Sequence, residues 1–355
     1  MKIAVVHDFF ETIGGGETEM KMLAEGLAKT HDVHFYTTYF NKSLPFKLEV
    51  PLTQTGLVFK KEPLKQTEAS FRFSRLNLKD YDVIITENYW SAFTKHKNHI
   101  HHCEAPIRQF YDMRGKFTLS LPFWKRLLYN VWCDTMIHFE QKAIKRIKTI
   151  VANSEFTKTR IKMYYNRDDA IVIYPPVITE RYRYQSTGDY FLYVGRLDTN
   201  KRIEFMIEAF KKAKKSLVVI GSGPLLEKAK MLAKGADIKF LGYAPEETVI
   251  EHYAKCMATV YLPMFEDFGQ VPVESMSTGK PCLGVKEGGL LETIIDGKTG
   301  WLMLPRLDDV VEKIKEITPE ECKSMRKACE NRAREFDINP YLNKFNKVIE
   351  ETVKT

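Results

Sequence analysis

Apolar and polar positions alternate along the chain in blocks that are typical of strands followed by helices. Apolar runs at residues 2–9 and 33–39 flank a helical pattern at 17–29, and the connection before that helix holds three consecutive glycines. This arrangement predicts a βαβ unit with a glycine-rich turn. Further strands are predicted at 81–87 and 100–103.

The second half of the chain shows the same alternation more clearly. Strands are predicted at 190–194, 217–220, 238–241, 258–262, 281–285 and 301–304, with helices at 202–213, 225–233, 246–255, 272–277 and 290–295. The first of these helices has one apolar face at i, i+3, i+4 and i+7. The pattern predicts an α/β fold with parallel sheets and helices on both faces.

The length favours two domains. A break is predicted after the adjacent prolines Pro175 and Pro176, which gives a first domain at 1–176 and a second at 177–335. Residues 336–355 contain a helical pattern that we expect to pack back on the first domain.

The net charge is +8, and most of the surplus lies in residues 1–176. That imbalance indicates an anionic partner, or alternatively lysine enrichment for solubility. No apolar run reaches the length of a membrane span, and the first residues lack the layout of a cleavable signal peptide. Six scattered cysteines without a CxxC pair indicate reduced thiols. We therefore expect a cytoplasmic protein that can also bind at the inner face of the membrane.

Candidate binding residues follow the predicted strands of the second half, where parallel sheets bind ligands. Gly195 and Arg196 come directly after one strand, and Lys201 follows five residues later. An arginine fork beside a mobile lysine suits a diphosphate, although two solvated charges would give the same spacing. Gly221 and Gly223 would let a ligand approach the backbone, or simply form a tight turn.

Residues 265–274 are the most informative segment. A helix is expected to open near Pro272, leaving the N–H groups of residues 268–270 free to bind phosphate. Two carboxylates, Glu266 and Glu274, flank this turn. They are suited to bind hydroxyl groups of a sugar and a ribose, while Glu274 could instead complement the helix dipole.

These motifs together resemble one family. Glu266 and Glu274 match the glutamate–seven residues–glutamate signature of retaining family 4 glycosyltransferases, within EDFGQVPVESMSTGKP and the following EGGLLETIIDGKTGWL. GRLDTNKR is similar to its diphosphate motif, and Gly14-Gly15-Gly16-Glu17 to its glycine loop. The nearest pattern is the mannosyltransferase-like subgroup that builds O-antigens and archaeal glycans. The resemblance implies a GT-B fold, with two Rossmann-like domains facing each other across a cleft.

The resemblance also implies roles for individual residues. Arg196 and Lys201 would hold the diphosphate, Glu266 the transferred sugar and Glu274 the ribose. The remaining donor contacts would come from Gly14, Gly15, Gly16, Gly195, Gly221, Gly223, Gly242, Tyr243, Phe268, Gly269 and Gln270. The expected reaction is metal-independent hexosyl transfer to a glycan or lipid-linked acceptor with retention of configuration and without a cofactor. GDP-mannose is the preferred donor, and a UDP-sugar is the alternative.

One position departs from the family pattern. Many relatives carry a histidine where this chain has Glu104, within Cys-Glu-Ala-Pro-Ile-Arg. Either Glu104 takes over its catalytic role, or His102 does. Glu104, Arg108 and Tyr111 are the predicted acceptor contacts. His99, His101 and His102 lack a completing ligand set, so no metal site is predicted.

Residues 115–148 interleave aromatic and basic side chains, with Asp134 and Glu140 as their only acids. This composition favours docking on an anionic membrane, while the alternative is a helix pair whose aromatic residues are core. No nucleic-acid motif is present. Two competing functions are a nucleotide-sugar epimerase, which would need an acid–base pair, and a non-catalytic nucleotide-sugar-binding protein.

Overall fold

The computed structural model describes residues 1–12, 14–44 and 46–354. Thr355, the last residue of the predicted C-terminal segment, lies outside them. The chain forms two compact units, one made of Met1–Tyr174 with Tyr341–Thr355 and the other of Pro175–Pro340. The predicted boundaries after residues 176 and 335 lie within five residues of these limits.

The first unit contains a seven-stranded parallel sheet in the order β3-β2-β1-β4-β5-β6-β7. Its strands are β1 (Lys2–Phe10), β2 (Asp32–Phe40), β3 (Leu52–Gln54), β4 (Val83–Glu87), β5 (His99–Cys103), β6 (Thr149–Ala152) and β7 (Ile171–Val172). Its helices are α1 (Gly15–Leu27), α2 (Leu64–Arg75), α3 (Arg114–Ser120), α4 (Phe123–Arg146) and α5 (Glu155–Tyr165).

Strand β1 is an interior strand of this sheet, and its apolar side chains are buried on both faces. Val5 lies beside Phe35 of β2 on one side and beside Ile85 of β4 on the other, and Val5 itself is fully buried. The parallel pairing brings the ends of β1, β4 and β5 to one edge of the sheet. The glycine turn, Glu87 and Glu104 all lie at that edge.

The second unit contains a six-stranded parallel sheet in the order β10-β9-β8-β11-β12-β13. Its strands are β8 (Phe191–Val194), β9 (Leu217–Ile220), β10 (Ile238–Gly242), β11 (Ala258–Tyr261), β12 (Cys282–Val285) and β13 (Gly300–Met303). Its helices are α6 (Ile203–Ala213), α7 (Leu226–Leu232), α8 (Glu246–Lys255), α9 (Gln270–Ser277), α10 (Leu290–Thr293), α11 (Leu307–Glu316), α12 (Pro319–Ser324) and α13 (Arg326–Arg334). The predicted α/β class is confirmed, with two parallel sheets.

The last helix, α14 (Ile338–Lys354), starts in the second unit and continues into the first. There it buries Phe345 completely, and the Tyr341 hydroxyl donates a 2.9 Å hydrogen bond to Glu19 of α1. Leu342 lies over Gly26 of α1. A Cβ on that glycine would be 2.5 Å from a methyl group of Leu342. Close packing of this kind makes α14 an integral part of the first unit.

The start of helix α9 differs from the prediction. Helix α9 begins at Gln270, two residues before Pro272. Proline is tolerated there because the first-turn N–H groups of a helix have no intrahelical partner to lose. The predicted first-turn N–H donors therefore include only Gln270 itself, while Phe268 and Gly269 lie just before the helix.

Candidate active site

The predicted donor residues of the second unit lie where its strands end. Gly195 and Arg196 follow β8, Gly221 follows β9, and Gly242 ends β10. Glu266 lies in the loop between β11 and α9. Parallel pairing gathers all of these positions at the carboxyl edge of one sheet, which is the edge at which such sheets bind ligands.

Lys201 and Glu266 form an ion pair at this edge. The Lys201 Nζ lies 2.7 Å from Glu266 Oε2 and 2.7 Å from the Tyr261 hydroxyl oxygen, and that hydroxyl donates to Glu266 Oε1 at 3.0 Å. The Lys201 and Glu266 side chains retain 20% and 24% exposure. Tyr261, which the sequence analysis did not select, is buried and fixes both charged groups in place.

Arg196 behaves differently from Lys201. Its side chain is 73% exposed, and its Nε lies 3.7 Å from Asp198. The Asp198 carboxylate accepts from the N–H groups of Asn200 and Lys201, which shapes the turn that carries the lysine. The guanidinium is thus an exposed cation in the same loop as the fixed Lys201 ammonium, and binding of a diphosphate by the two stays a prediction.

Arg202 organises the loops, although the sequence analysis interpreted it only as the start of a helix. Its guanidinium makes two 2.9 Å bonds to the Glu287 carboxylate and donates to the Pro263 carbonyl at 2.6 Å. It therefore connects the loops that follow β8, β11 and β12. The sequence does contain a signal for this contact. Arg202 directly follows Lys201, and Glu287 directly precedes two glycines.

Glu274 lies one turn inside α9 and accepts a 2.8 Å hydrogen bond from the Tyr253 hydroxyl. Burial raises the pKa of this carboxyl above its ordinary value, while the bond from Tyr253 acts in the opposite direction. Glu274 is only partly buried by its neighbours. Its second oxygen remains available for a ligand hydroxyl.

The glycines at this edge are needed for packing between loops. A Cβ on Gly221 would lie 1.9 Å from the Gly195 carbonyl oxygen, and one on Gly223 would lie 2.4 Å from that of Leu197. The two loops after β8 and β9 therefore touch along their backbones. This contact accounts for both glycines without a ligand.

The remaining predicted donor residues of this unit vary in exposure. Gly269 precedes α9 with φ 88°, and no side chain caps the helix there among the described residues. Phe268 is buried and packs edge-on against Phe336 at 5.5 Å, so only its backbone faces a ligand position. Tyr243 is 80% exposed, which leaves its ring free to contact a base.

In the first unit, Glu104 lies against the glycine turn. A Cβ on Gly16 would be 2.5 Å from Glu104 Oε1 and 3.1 Å from Glu87 Oε1. Only glycine fits there because the two carboxyl groups occupy the space. Gly14 begins the turn, and its N–H donates to Glu17 Oε2 at 3.0 Å.

Glu87 and Glu104 perturb each other in opposite directions. Burial raises the pKa of both carboxyls well above the ordinary value; the charge of Glu87 raises that of Glu104 further, whereas hydrogen bonding to Glu104 lowers that of Glu87. Glu87 is also hydrogen-bonded to the His7 ring. Neither Glu87 nor His7 was predicted to be a site residue, because both lie within predicted strands whose other residues are mostly apolar and expected to be buried.

The structure separates the two candidates for the family histidine. His102 is fully buried beneath α14, with its ring edge-on to Phe345 at 5.7 Å. Its Nε2 lies 3.4 Å from Glu19, and neither ring nitrogen makes a hydrogen bond to a described residue. Glu104, by contrast, borders the glycine turn and is only partly buried.

The other two predicted acceptor contacts already have protein partners. Arg108 donates to Asp112 at 3.2 Å. The Tyr111 hydroxyl donates to Glu140 at 2.7 Å and accepts from Gln141, while its ring stacks on Tyr164. Both side chains therefore contribute to the packing of the first unit, and their role toward an acceptor stays a prediction.

The neighbouring histidines His99 and His101 share one partner, since the Thr86 hydroxyl lies 2.8 and 2.9 Å from a nitrogen of each ring. Across residues 1–12, 14–44 and 46–354, no group of three or more His, Cys, Asp or Glu side chains is arranged to hold a metal ion. All six cysteines are buried, and none of them forms a disulfide bond within the described residues.

Comparisons with known proteins agree with this geometry. Residues 178–336 match the family "Glycosyl transferases group 1", and residues 13–181 match "Glycosyltransferase Family 4". The chain is 23% identical over 329 residues to the alpha-1,3/1,6-mannosyltransferase ALG2 of Dictyostelium discoideum, covering 76% of each chain.

Two solved structures have the same fold. Sucrose-phosphate synthase from Thermosynechococcus elongatus has a TM-score of 0.80 at 16% identity, covering 99% of this chain and 98% of the other. HepE of Anabaena in complex with UDP-glucose has a TM-score of 0.73 at 17% identity, covering 100% and 99%. The two family matches together span most of the sequence, the fold is GT-B, and the chain belongs to the glycosyltransferases, with relatives consistent with family 4 and its mannosyltransferase-like subgroup.

Proposed function

We propose that this glycosyltransferase moves a hexose from a nucleotide-diphosphate sugar with retention of configuration and without a metal ion. GDP-mannose is the proposed donor, and a glycan or lipid-linked molecule the proposed acceptor. The observation that carries this proposal is the cation pair at the carboxyl edge of the second sheet. Arg196 is exposed there, and Lys201 is held by Glu266 and Tyr261.

Charge explains how these residues would act. Breaking the bond between sugar and phosphate builds negative charge on the departing diphosphate and positive charge on the sugar. Arg196, Lys201 and the first-turn amides of α9 would stabilise the anion, and preorganised groups of this kind make the largest contribution to many catalysed reactions. Glu266, already oriented by two hydrogen bonds, would bind a hydroxyl of the transferred sugar.

Retention follows if the acceptor attacks from the face that the diphosphate leaves. The leaving phosphate then accepts the acceptor proton, so the protein needs no nucleophile and base. Glu274 would bind the ribose, with its carboxyl oriented by Tyr253. An epimerase would need an acid–base pair at the sugar, and the roles proposed for Arg196, Lys201, Glu266 and Glu274 do not include one.

The donor base is the most direct test. The relative from Dictyostelium discoideum is named a mannosyltransferase, which favours GDP-mannose, whereas the HepE complex holds UDP-glucose, which favours the alternative. A thermal-shift panel of GDP, UDP, ADP and dTDP separates them. A nucleotide at 100-fold its Kd adds about 2.7 kcal/mol to the free energy of unfolding. We expect GDP to raise the Tm most, and a larger shift with UDP would refute the GDP assignment.

A second surface supports an acceptor at a membrane. The start of α4, called here the apolar tip, exposes large apolar side chains, among them Phe123 at 80%, Trp124 at 60%, Leu127 at 72% and Leu128 at 68%. Their exposure favours membrane docking over the alternative that these aromatic residues are core. No helix within the described ranges combines the length and hydropathy of a membrane span.

Basic residues accompany this apolar tip. Lys116 and Lys125 are exposed, and the Lys125 Nζ lies 4.8 Å from the centre of the Trp124 ring. Each basic residue near an anionic surface contributes about 1 kcal/mol to binding. We propose that the tip docks on anionic lipid, placing the enzyme beside a lipid-linked or amphipathic acceptor.

Vesicle flotation tests this docking, with binding to anionic vesicles expected to fall steeply as salt rises. Arg126 donates to the carbonyls of Leu119 and Leu121 and so holds the helix connection. The test variant therefore changes Lys125→Glu with Leu128→Ser, which should abolish flotation.

The matched control is Lys142→Glu, an exposed change about 26 Å further along α4, which should float nearly as well as the wild type. If the wild type ignores anionic vesicles at low salt, the docking proposal is wrong.

A further inference from the structure

Two carboxyl groups meet over the glycine turn of the first unit. Glu87 ends β4 and Glu104 directly follows β5, and oxygens of both approach the Cα of Gly16. Glu87 is 1% exposed, and its Oε1 receives no hydrogen bond from any described N–H or hydroxyl group. Its other oxygen is bound to the His7 ring. The unpartnered oxygen therefore has one nearby group that can satisfy it, a protonated Glu104.

Two adjacent carboxyls, one fully and one partly buried, do not both ionise at neutral pH, because their repulsion away from water is large. The His7 ring engages Glu87 Oε2, while Glu87 Oε1 lies beside Glu104. A proton on Glu104, donated to that oxygen, gives it the partner it lacks. The pKa of Glu104 is raised by burial first and by the charge of Glu87 second.

Other charged groups around the pair act on both carboxyls. Glu17 of α1 raises the pKa of both, whereas Glu19 of α1 and Asp8 of β1 raise that of Glu87 through charge repulsion. Glu19 is itself bonded to Tyr341 of α14. His7 is the group that opposes them for Glu104. His102 on β5 makes no hydrogen bond to Glu104 among the described residues, and its 3.4 Å approach is to Glu19.

We propose that Glu87 is a positioning residue that holds the single shared proton on Glu104, so that Glu104 meets the donor sugar as a neutral acid. A neutral carboxyl can accept a hydrogen bond from a sugar hydroxyl without repelling the donor diphosphate. An ionised Glu104 would repel that diphosphate. This inference rests on the proposed function, because it assumes that the sugar nucleotide reaches the glycine turn.

Substitution by glutamine tests the protonation state. Glu104→Gln keeps the shape and the neutral charge, and its amide can donate to Glu87. We expect it to lower kcat/KM by less than about tenfold at pH 6 and to remove the decline in kcat/KM that the wild type shows at alkaline pH. Glu104→Asp, which shortens the side chain, should lower kcat/KM more than Glu104→Gln does. If Glu104→Gln instead loses 100-fold or more while Glu104→Asp is active, Glu104 works as a carboxylate and the inference is wrong.

Glu87→Gln tests the positioning role. Its amide would donate to Glu104 and favour ionisation of that carboxyl, so we expect the alkaline decline to move to lower pH by about one unit or more. The matched control is Glu140→Gln, which removes a buried carboxyl bonded to Tyr111 and Tyr165 and should leave the position of the decline unmoved. Identical pH profiles for Glu87→Gln and the wild type would overturn the assignment.

A readout without turnover separates this inference from the proposed function. Infrared difference spectra of the full chain at pH 7 should show one protonated carboxyl fewer in Glu104→Gln and in Glu87→Gln than in the wild type. If neither variant loses that band, the inference is wrong. If the band is lost as expected but no sugar nucleotide binds, the proposed function fails while the shared proton stands.

Discussion

Replacing Lys201 by methionine separates the two contributions of this residue, to stability and to the leaving diphosphate. The side chain keeps its length but loses its charge. Glu266 and the Tyr261 hydroxyl each lose a partner at 2.7 Å. Removing one partner of a fully buried pair reduces the free energy of unfolding by about 3–5 kcal/mol, while an exposed pair contributes about 0–1.

The Lys201–Glu266 pair lies between these limits, with side chains 20% and 24% exposed. Water can still reach Glu266, so we expect a loss of about 1–2 kcal/mol, seen as a Tm lowered by roughly 2–8 °C. The effect on catalysis should be larger. Loss of one preorganised charge on the leaving group lowers kcat by roughly 10²–10³.

The assay measures kcat and KM for the sugar nucleotide beside thermal unfolding of the same samples. Lys228→Met is the matched control, since its ion pair with Glu204 has a similar 2.8 Å distance but side chains 53% and 44% exposed. It should change the free energy of unfolding by less than about 0.5 kcal/mol and leave kcat unchanged. Turnover within threefold of wild type for Lys201→Met would refute the diphosphate assignment.

Three further predictions concern other features. Gly221→Ala should lower the Tm of the protein clearly, because the new methyl would lie 1.9 Å from the Gly195 carbonyl oxygen, and an unchanged melting curve would contradict that loop contact. Burial lowers the pKa of Lys280 to about 8 from 10.5, so charging it opposes folding below pH 8 and its own contribution to stability rises between about pH 8 and 10.5; the difference in urea unfolding free energy between wild type and Lys280→Met should therefore grow over that range, and a constant difference would contradict the lowered pKa. EDTA treatment should leave transferase activity intact, and activity restored only by added divalent metal would disprove metal-independent catalysis.

The fold could be predicted from the sequence because its strands are short apolar runs with clear ends. The strand at 217–220 and the helix at 246–255 were predicted at the residues where they occur. Strands β3, β6 and β7 were not predicted. The strands β6 and β7 are only four and two residues long, and β3 and β7 lie at the two edges of the sheet. Edge strands of this kind are defined by their neighbours rather than by their own side chains.

The candidate site was only partly accessible to sequence reasoning. Loop residues such as Lys201 and Glu266 stand out because charges and glycines interrupt an apolar pattern. Tyr261 and Glu87 end strands, where a polar side chain reads as part of the sheet. Their importance comes from partners distant in sequence, such as His7 for Glu87, and a single sequence does not show such pairs.

Helix α14 has a consequence for how the protein folds during synthesis. The first unit needs Tyr341 and Phe345 to cover Glu19 and His102, yet the whole of Pro175–Pro340 is translated before those residues emerge. At typical rates of about 5–20 residues per second, this leaves the first sheet without its covering helix for on the order of ten to thirty seconds. During that interval the parts of α1 and β5 around Glu19, Gly26 and His102 stay uncovered, so the first unit reaches its final packing only after the second unit has been synthesised.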